Sequence, residues 1–129
     1  MKIPTGLKYS RDHEWVKIEG NRATVGITDY AQSQLGDVVF VEVPVVDSEI
    51  AMGASFSVVE SVKAVSDIYA PVGGVIVEVN EALADTPEIM NEDPYGDGWL
   101  AVIEMTDKVD LSELLSSDEY EKLIAEGGN

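Results

Sequence analysis

What most constrains the fold of this chain is a recurring order of short, valine-rich segments. Val39-Phe40-Val41-Glu42-Val43 returns 36 residues later as Val75-Ile76-Val77-Glu78-Val79. Phe56-Ser57-Val58-Val59-Glu60 returns 44 residues later as Leu100-Ala101-Val102-Ile103-Glu104. The order is preserved, and the eight extra residues of the second copy fall around Ala84 to Asp97. Each segment has the length and β-branched content of a strand and is too short for a core helix. Two related β units point to a mainly β fold, a sandwich or flattened barrel with approximate two-fold internal symmetry. Valine-rich strands also come to look alike by chance, and the repeat by itself does not separate the two readings.

The remaining segments fit the same frame. Glu14 to Ile18 alternates polar and apolar, Gly20-Asn21 is a turn signal, and Ala23 to Ile27 reads as the partner strand. Thr28 or Asp29 is placed to cap a short helix that stops at Gly36. Further strands are expected over Asp37 to Val43, Ser55 to Ser61, Val65 to Ala70, Val75 to Val79 and Trp99 to Met105. Thr86-Pro87-Glu88 reads as cap, first-turn proline and acidic first turn of another short helix. Two capping boxes, Asp110-x-x-Glu113 and Ser116-x-x-Glu119, predict two short helices at the C-terminus, the last ending near Gly127. With no flexible linker, residues 1–129 are expected to form one domain.

Composition narrows the function. The chain has 25 acidic and 8 basic residues, a formal charge of −17, so it repels phosphate backbones and anionic membranes. Nucleic acid and membrane are poor partners. There is no cysteine and one histidine, which excludes a disulfide framework, a thiolate metal site, a thiol nucleophile and a multi-histidine metal centre. No nucleophile–base pair or phosphate loop is visible, so no catalytic residue is assigned. No targeting segment stands out over Met1 to Ser10; the expected location is the cytoplasm, and a mature mitochondrial-matrix protein would look the same. His13 reads as a structural or surface residue, and Trp15 and Trp99 as core or core-edge aromatics.

One residue breaks the acidic pattern. Between Arg22 and Lys108 the only basic residue is Lys63, in Glu60-Ser61-Val62-Lys63-Ala64-Val65-Ser66-Asp67. Strands on both sides put it at the tip of a β-hairpin. By position alone this is an ordinary solvated lysine. Its isolation favours an accessible amine held in fixed geometry for a modifying enzyme. Glu60 and Asp67 favour the ammonium, so Lys63 is poorly suited to act as a base or Schiff-base residue.

At these residues the chain resembles the glycine cleavage H-protein family. Glu60 to Pro71 is similar to the family's lipoylation motif, with Lys63 on the modified lysine and Glu60, Ser61, Val62, Ala64 and Asp67 around it. Leu7 to Ser10 with His13 to Val16, Val25 to Gln32, Leu35 to Val41, and Asn91 to Trp99 resemble further family blocks, in order. The resemblance implies a fold of the lipoyl/biotinyl type with lipoate attached to Lys63. Val62 and Ala64 stand where biotin carriers usually place methionines.

The implied role is a carrier, not an enzyme. It would shuttle the aminomethyl intermediate of glycine from the PLP-dependent glycine decarboxylase to the folate-dependent aminomethyltransferase, and then be reoxidised by dihydrolipoyl dehydrogenase. A lipoate ligase or lipoyl transferase would attach the arm, and a monomer with transient partners is expected. Glu14 and Asp67 are the candidates to meet the protonated amine of the loaded arm. Alternatives are a non-lipoylated interaction module and a donor that relays lipoate to other proteins.

Overall fold

A computed structural model describes residues 1–106 and 111–127. Two sheets face one another across an apolar core. The larger sheet holds β1 (Lys8–Tyr9), β2 (Glu14–Glu19), β3 (Arg22–Ile27), β9 (Ala101–Met105), β8 (Gly74–Val79) and β5 (Glu49–Ile50), in that spatial order. The smaller holds β4 (Val38–Glu42), β6 (Ser55–Ser61) and β7 (Val65–Tyr69). All neighbouring pairs are antiparallel. Together they make the expected mainly β architecture, an open sandwich with a few short helices.

Strand pairing gives the repeat a physical basis. β4 pairs with β6 in the small sheet, and β8 pairs with β9 in the large one. Val38↔Ser61 and Glu42↔Val58 are matched by Gly74↔Met105 and Glu78↔Val102, the same positions at the two offsets. In both copies the first strand carries one extra residue, at Val39 and at Val77, so each ladder is bulged once. The eight extra residues of the second copy lie in the stretch that contains α2 (Ala82–Asp85) and α3 (Ile89–Glu92).

Those helices differ from the expected one. Thr86 closes α2, donating its N–H to the Ala82 carbonyl at 2.8 Å, and Glu88 precedes α3. The cause is Pro87. A residue before proline is driven out of the α region, and Thr86 sits at φ −134°, ψ 67°, so the helix breaks there instead of starting there. α1 (Asp29–Leu35) matches its reading: Thr28 Oγ accepts from the Ala31 N–H, and Gly36 ends the helix at φ 78°.

The second C-terminal capping box holds. Ser116 and Glu119 cap α4 (Ser117–Ala125) reciprocally. Asp110, the start of the first box, lies outside the described residues. Leu111 to Leu115 is turn and bridge, not helix. Leu115 pairs with Tyr9 through two backbone bonds of 2.7 and 2.8 Å, which require extended chain and override the local helix signal. This bridge and the burial of Tyr120 and Leu123 dock α4 beside β1.

Candidate functional site

Lys63 stands at the tip of the β6–β7 hairpin. Glu60↔Val65 is the last paired position, and the Ser61 N–H donates to the Ala64 carbonyl at 2.8 Å. Two-residue hairpins usually need glycine or asparagine at positive φ. Neither Val62 nor Lys63 has positive φ. The Ser61 hydroxyl supports the turn instead, accepting from the Ala64 N–H at 3.1 Å and the Lys63 N–H at 3.3 Å. The motif serine is thus a structural part of the lysine's platform.

A second brace comes from the end of α1. The Val62 N–H donates to the Asp37 carbonyl at 3.0 Å. Asn91 fixes the residues on either side of Asp37: its Nδ2 donates to the Gly36 carbonyl and its Oδ1 accepts from the Val38 N–H, each at 2.8 Å. The Lys63 stem runs past Gly36, where a Cβ would stand 3.4 Å from Lys63 Cε. Lys63 itself is exposed, as are Val62 and Ala64. The arrangement holds the backbone under the lysine and leaves its amine in solvent.

The two candidate carboxylates occupy different settings. Asp67 is exposed and accepts from the Ser55 hydroxyl at 3.2 Å. Glu14 is 1% exposed. Ser10 Oγ donates to one of its oxygens at 2.5 Å, and the Tyr69 N–H donates to the other at 3.4 Å. Glu14 thereby satisfies a free backbone donor on the edge of β7. Along β7, Asp67 lies four residues and Tyr69 six residues beyond Lys63, about 13 and 20 Å at ~3.3 Å per residue.

Glu14 lines a cleft of ≈ 190 Å³ with Ser10, Met52, Ala70, Pro71 and Leu114. Asp67 does not line it. Burial pushes the Glu14 carboxyl up to about 7, Ser10 pulls it back, and Asp12 adds to the rise. Ser10 and the Tyr69 N–H escaped sequence reasoning. The one signal for Ser10 was its place four residues before Glu14, across a turn in which His13 sits at φ 71°.

The raised Glu14 value sets a pH dependence. The folded state holds this proton more tightly than the unfolded state, whose carboxyl titrates near 4.5. Below that pH both states are protonated and folding feels no penalty. As pH rises through about 7 the buried group must ionise or keep its proton at a cost, so stability is lost. Glu14→Gln, which cannot ionise, should therefore gain on the wild type between pH 5 and 8 by about 3 kcal/mol. Urea unfolding at several pH values checks this; parallel curves would contradict it.

The other residues weighed in the sequence are structural. His13 Nδ1 lies 2.8 Å from the Tyr120 hydroxyl. Trp15 is buried, donates its indole N–H to the Pro94 carbonyl at 2.9 Å and covers Gly26, where a Cβ would fall 2.6 Å from the ring. Trp99 packs at the edge of the same aromatic cluster.

Comparison with known proteins agrees with this fold. A family model described as "Glycine cleavage H-protein" matches residues 7–127. The glycine cleavage system H protein of Carboxydothermus hydrogenoformans is 56% identical over 126 residues, covering 98% of this chain and 97% of the relative. That of Staphylococcus epidermidis is 57% identical over 126 residues, covering 98% and 100%. The crystal structure of a glycine cleavage system H protein from Mycobacterium marinum superposes with a TM-score of 0.87 at 42% identity, covering 95% of this chain and 98% of that one.

Proposed function

The chain belongs to the glycine cleavage H-protein family, and on that premise we propose that it is a lipoyl carrier with the arm joined through an amide to Lys63. The observation that carries this reading is the exposed Lys63 amine on a doubly braced hairpin tip, inside the intact block Glu60 to Pro71. The residues present fit the group. The lysine is the one cation between Arg22 and Lys108, and nothing in the turn competes with an acylating enzyme for it. A bound lipoyl group supplies a redox-active disulfide at the end of a long flexible tether.

The chain supplies position. Ser61 and Asp37 hold the tip still, so the attachment point is presented in one geometry. A body without cysteine offers no thiol of its own to exchange with that disulfide. Tethering raises the local concentration of the cargo at a docked enzyme. The partners on this reading are the PLP-dependent glycine decarboxylase, the folate-dependent aminomethyltransferase and dihydrolipoyl dehydrogenase. A lipoate ligase or lipoyl transferase acts before them. The body has no catalytic role in this scheme.

Glu14 is the stronger candidate to hold the cargo's protonated amine. A buried carboxyl with a raised titration point is an incomplete electrostatic site, and a cation brought to the cleft would complete it. Asp67, between Lys63 and the cleft along β7, is the second candidate. In Glu14→Ala the loaded form should hydrolyse about tenfold faster, and in Asp67→Ala by a smaller factor. Release of ammonia and formaldehyde from the loaded carrier measures this; wild-type rates in both variants would remove the assignment.

The test of the carrier reading is intact mass after incubation with a lipoate ligase, lipoate and ATP, with peptide mapping of the modified residue. One lipoyl group on Lys63 is expected. No gain in mass would refute it.

A further inference from the structure

At one position the two copies of the internal repeat make the same bond but support it with different parts. In the first copy the Val62 N–H donates to the Asp37 carbonyl at 3.0 Å, beside the rung Val38↔Ser61. At the two offsets the bond recurs in the second copy. There the Thr106 N–H donates to the Gly73 carbonyl at 3.4 Å, beside the rung Gly74↔Met105. Both rungs lie ahead of the bulges, so the copies correspond here residue for residue.

The outer edge is where they differ. In the second copy a strand covers it, with Ile50 of β5 paired to Gly74. In the first copy β4 is the last strand of its sheet, and its edge groups need another partner. One side chain supplies it. The Asn91 carboxamide donates to the Gly36 carbonyl and accepts from the Val38 N–H, each at 2.8 Å, as the backbone of a facing strand would. Its Nδ2 also donates to Gln32 Oε1 at 3.1 Å. With acceptors on one side and a donor on the other, the amide has a single orientation. Asn91 belongs to α3, in the stretch that lengthens the second copy. The added length of one copy therefore supports the lysine hairpin of the other.

We infer that Asn91 is a positioning residue for lipoylation: it replaces the missing edge strand beside Asp37, and so aims the Asp37 carbonyl at Val62 and sets where the Lys63 turn stands. This rests on the lipoyl-carrier reading. Ser61 shapes the turn from within, and Asn91 places the whole turn against the end of α1. Its bond to the Gly36 carbonyl also fixes the wall along which the Lys63 stem runs, where a Cβ would stand 3.4 Å from Lys63 Cε. Without that bond the turn keeps its shape but samples several positions. A modifying enzyme then meets the right presentation only part of the time. Apparent affinity falls by that fraction, while the bound complex reacts as before.

The test is the steady-state kinetics of lipoylation of the full chain by a lipoate ligase with lipoate and ATP, for the wild type, N91D, N91A and Tyr120→Phe. N91D keeps the shape and the acceptor for Val38 but loses the donor to Gly36. N91A removes every bond without adding a charge, and since Asn91 is only partly buried, water reaches the groups it leaves. Both should raise KM roughly tenfold with kcat within twofold of wild type. Amide exchange should show Val62 losing protection while the β8–β9 amides keep theirs. Tyr120→Phe, which loosens the protein away from the hairpin, should leave both constants unchanged. Three results would overturn the inference: wild-type constants in both Asn91 variants, a fall in kcat at constant KM, or an equal rise in KM for Tyr120→Phe. A wild type that gains no mass overturns the carrier reading, and this inference with it. A modified wild type with unaffected Asn91 variants overturns this inference alone.

Discussion

Lys63→Arg should abolish lipoylation completely and leave the fold untouched. The guanidinium keeps the positive charge and the long stem, but it stays protonated in any accessible range and does not act as the acyl acceptor. The side chain is exposed and its own backbone N–H bonds to Ser61, which the substitution preserves. Stability should therefore stay within about 0.5 kcal/mol of wild type, as for other surface changes. Intact mass should show one lipoyl group on the wild type and none on the variant, and the variant should not support glycine decarboxylation by the partner enzymes. A variant that still gains the group would place the attachment elsewhere. A wild type that gains none would favour the non-lipoylated interaction module, and transfer of a gained group to another lipoyl domain would favour the relay role.

The largest stability effect should come from Tyr120→Ala, far from that hairpin. Tyr120 is fully buried, stacked on Tyr9 with ring centroids 4.7 Å apart and planes 7° from parallel. Its hydroxyl lies 2.7 Å from Thr28 Oγ and 2.8 Å from His13 Nδ1. One side chain on α4 thus ties together β1, the turn before β2 and the cap of α1. Burial pushes the phenol well above its ordinary titration range, so it remains a neutral donor–acceptor. Removing the ring should cost about 3–5 kcal/mol through lost burial and the cavity left behind. Tyr120→Phe, which removes only the hydroxyl, should cost about 1–3 kcal/mol. Urea unfolding measures both. Equal costs would show that the ring contributes little and the polar network most. Ligase modification of Lys63 should be unchanged while either variant is folded, because its hairpin belongs to the other sheet.

Much of this protein was legible before folding was considered. The seven longer strands follow from alternation and valine content, which report on a backbone whose side chains point alternately in and out. Thr28 and Ser116 announce their helices because a cap acts within three residues. The repeat could be seen in sequence, but only the shared register of β4–β6 and β8–β9 shows that it is structural. Lys63 stood out because a lone cation among acidic residues is a one-dimensional signal.

What the tertiary structure decided involves partners distant in the chain. Leu115 is extended because Tyr9, more than a hundred residues earlier, offers it two backbone bonds that a capping box cannot outweigh. Glu14 looked equivalent to Asp67 in sequence; folding buried one, within reach of the Tyr69 backbone N–H, and left the other in solvent. Glu104 and Glu78 share a cation because β3 brings Arg22 opposite Glu104, whereas β7 brings Val65 opposite Glu60. Local propensity acts over a few residues and is written in the order of the chain. Burial, titration and ion pairing depend on what the fold brings within a few ångströms, so they emerge only once the sheets have closed on one another.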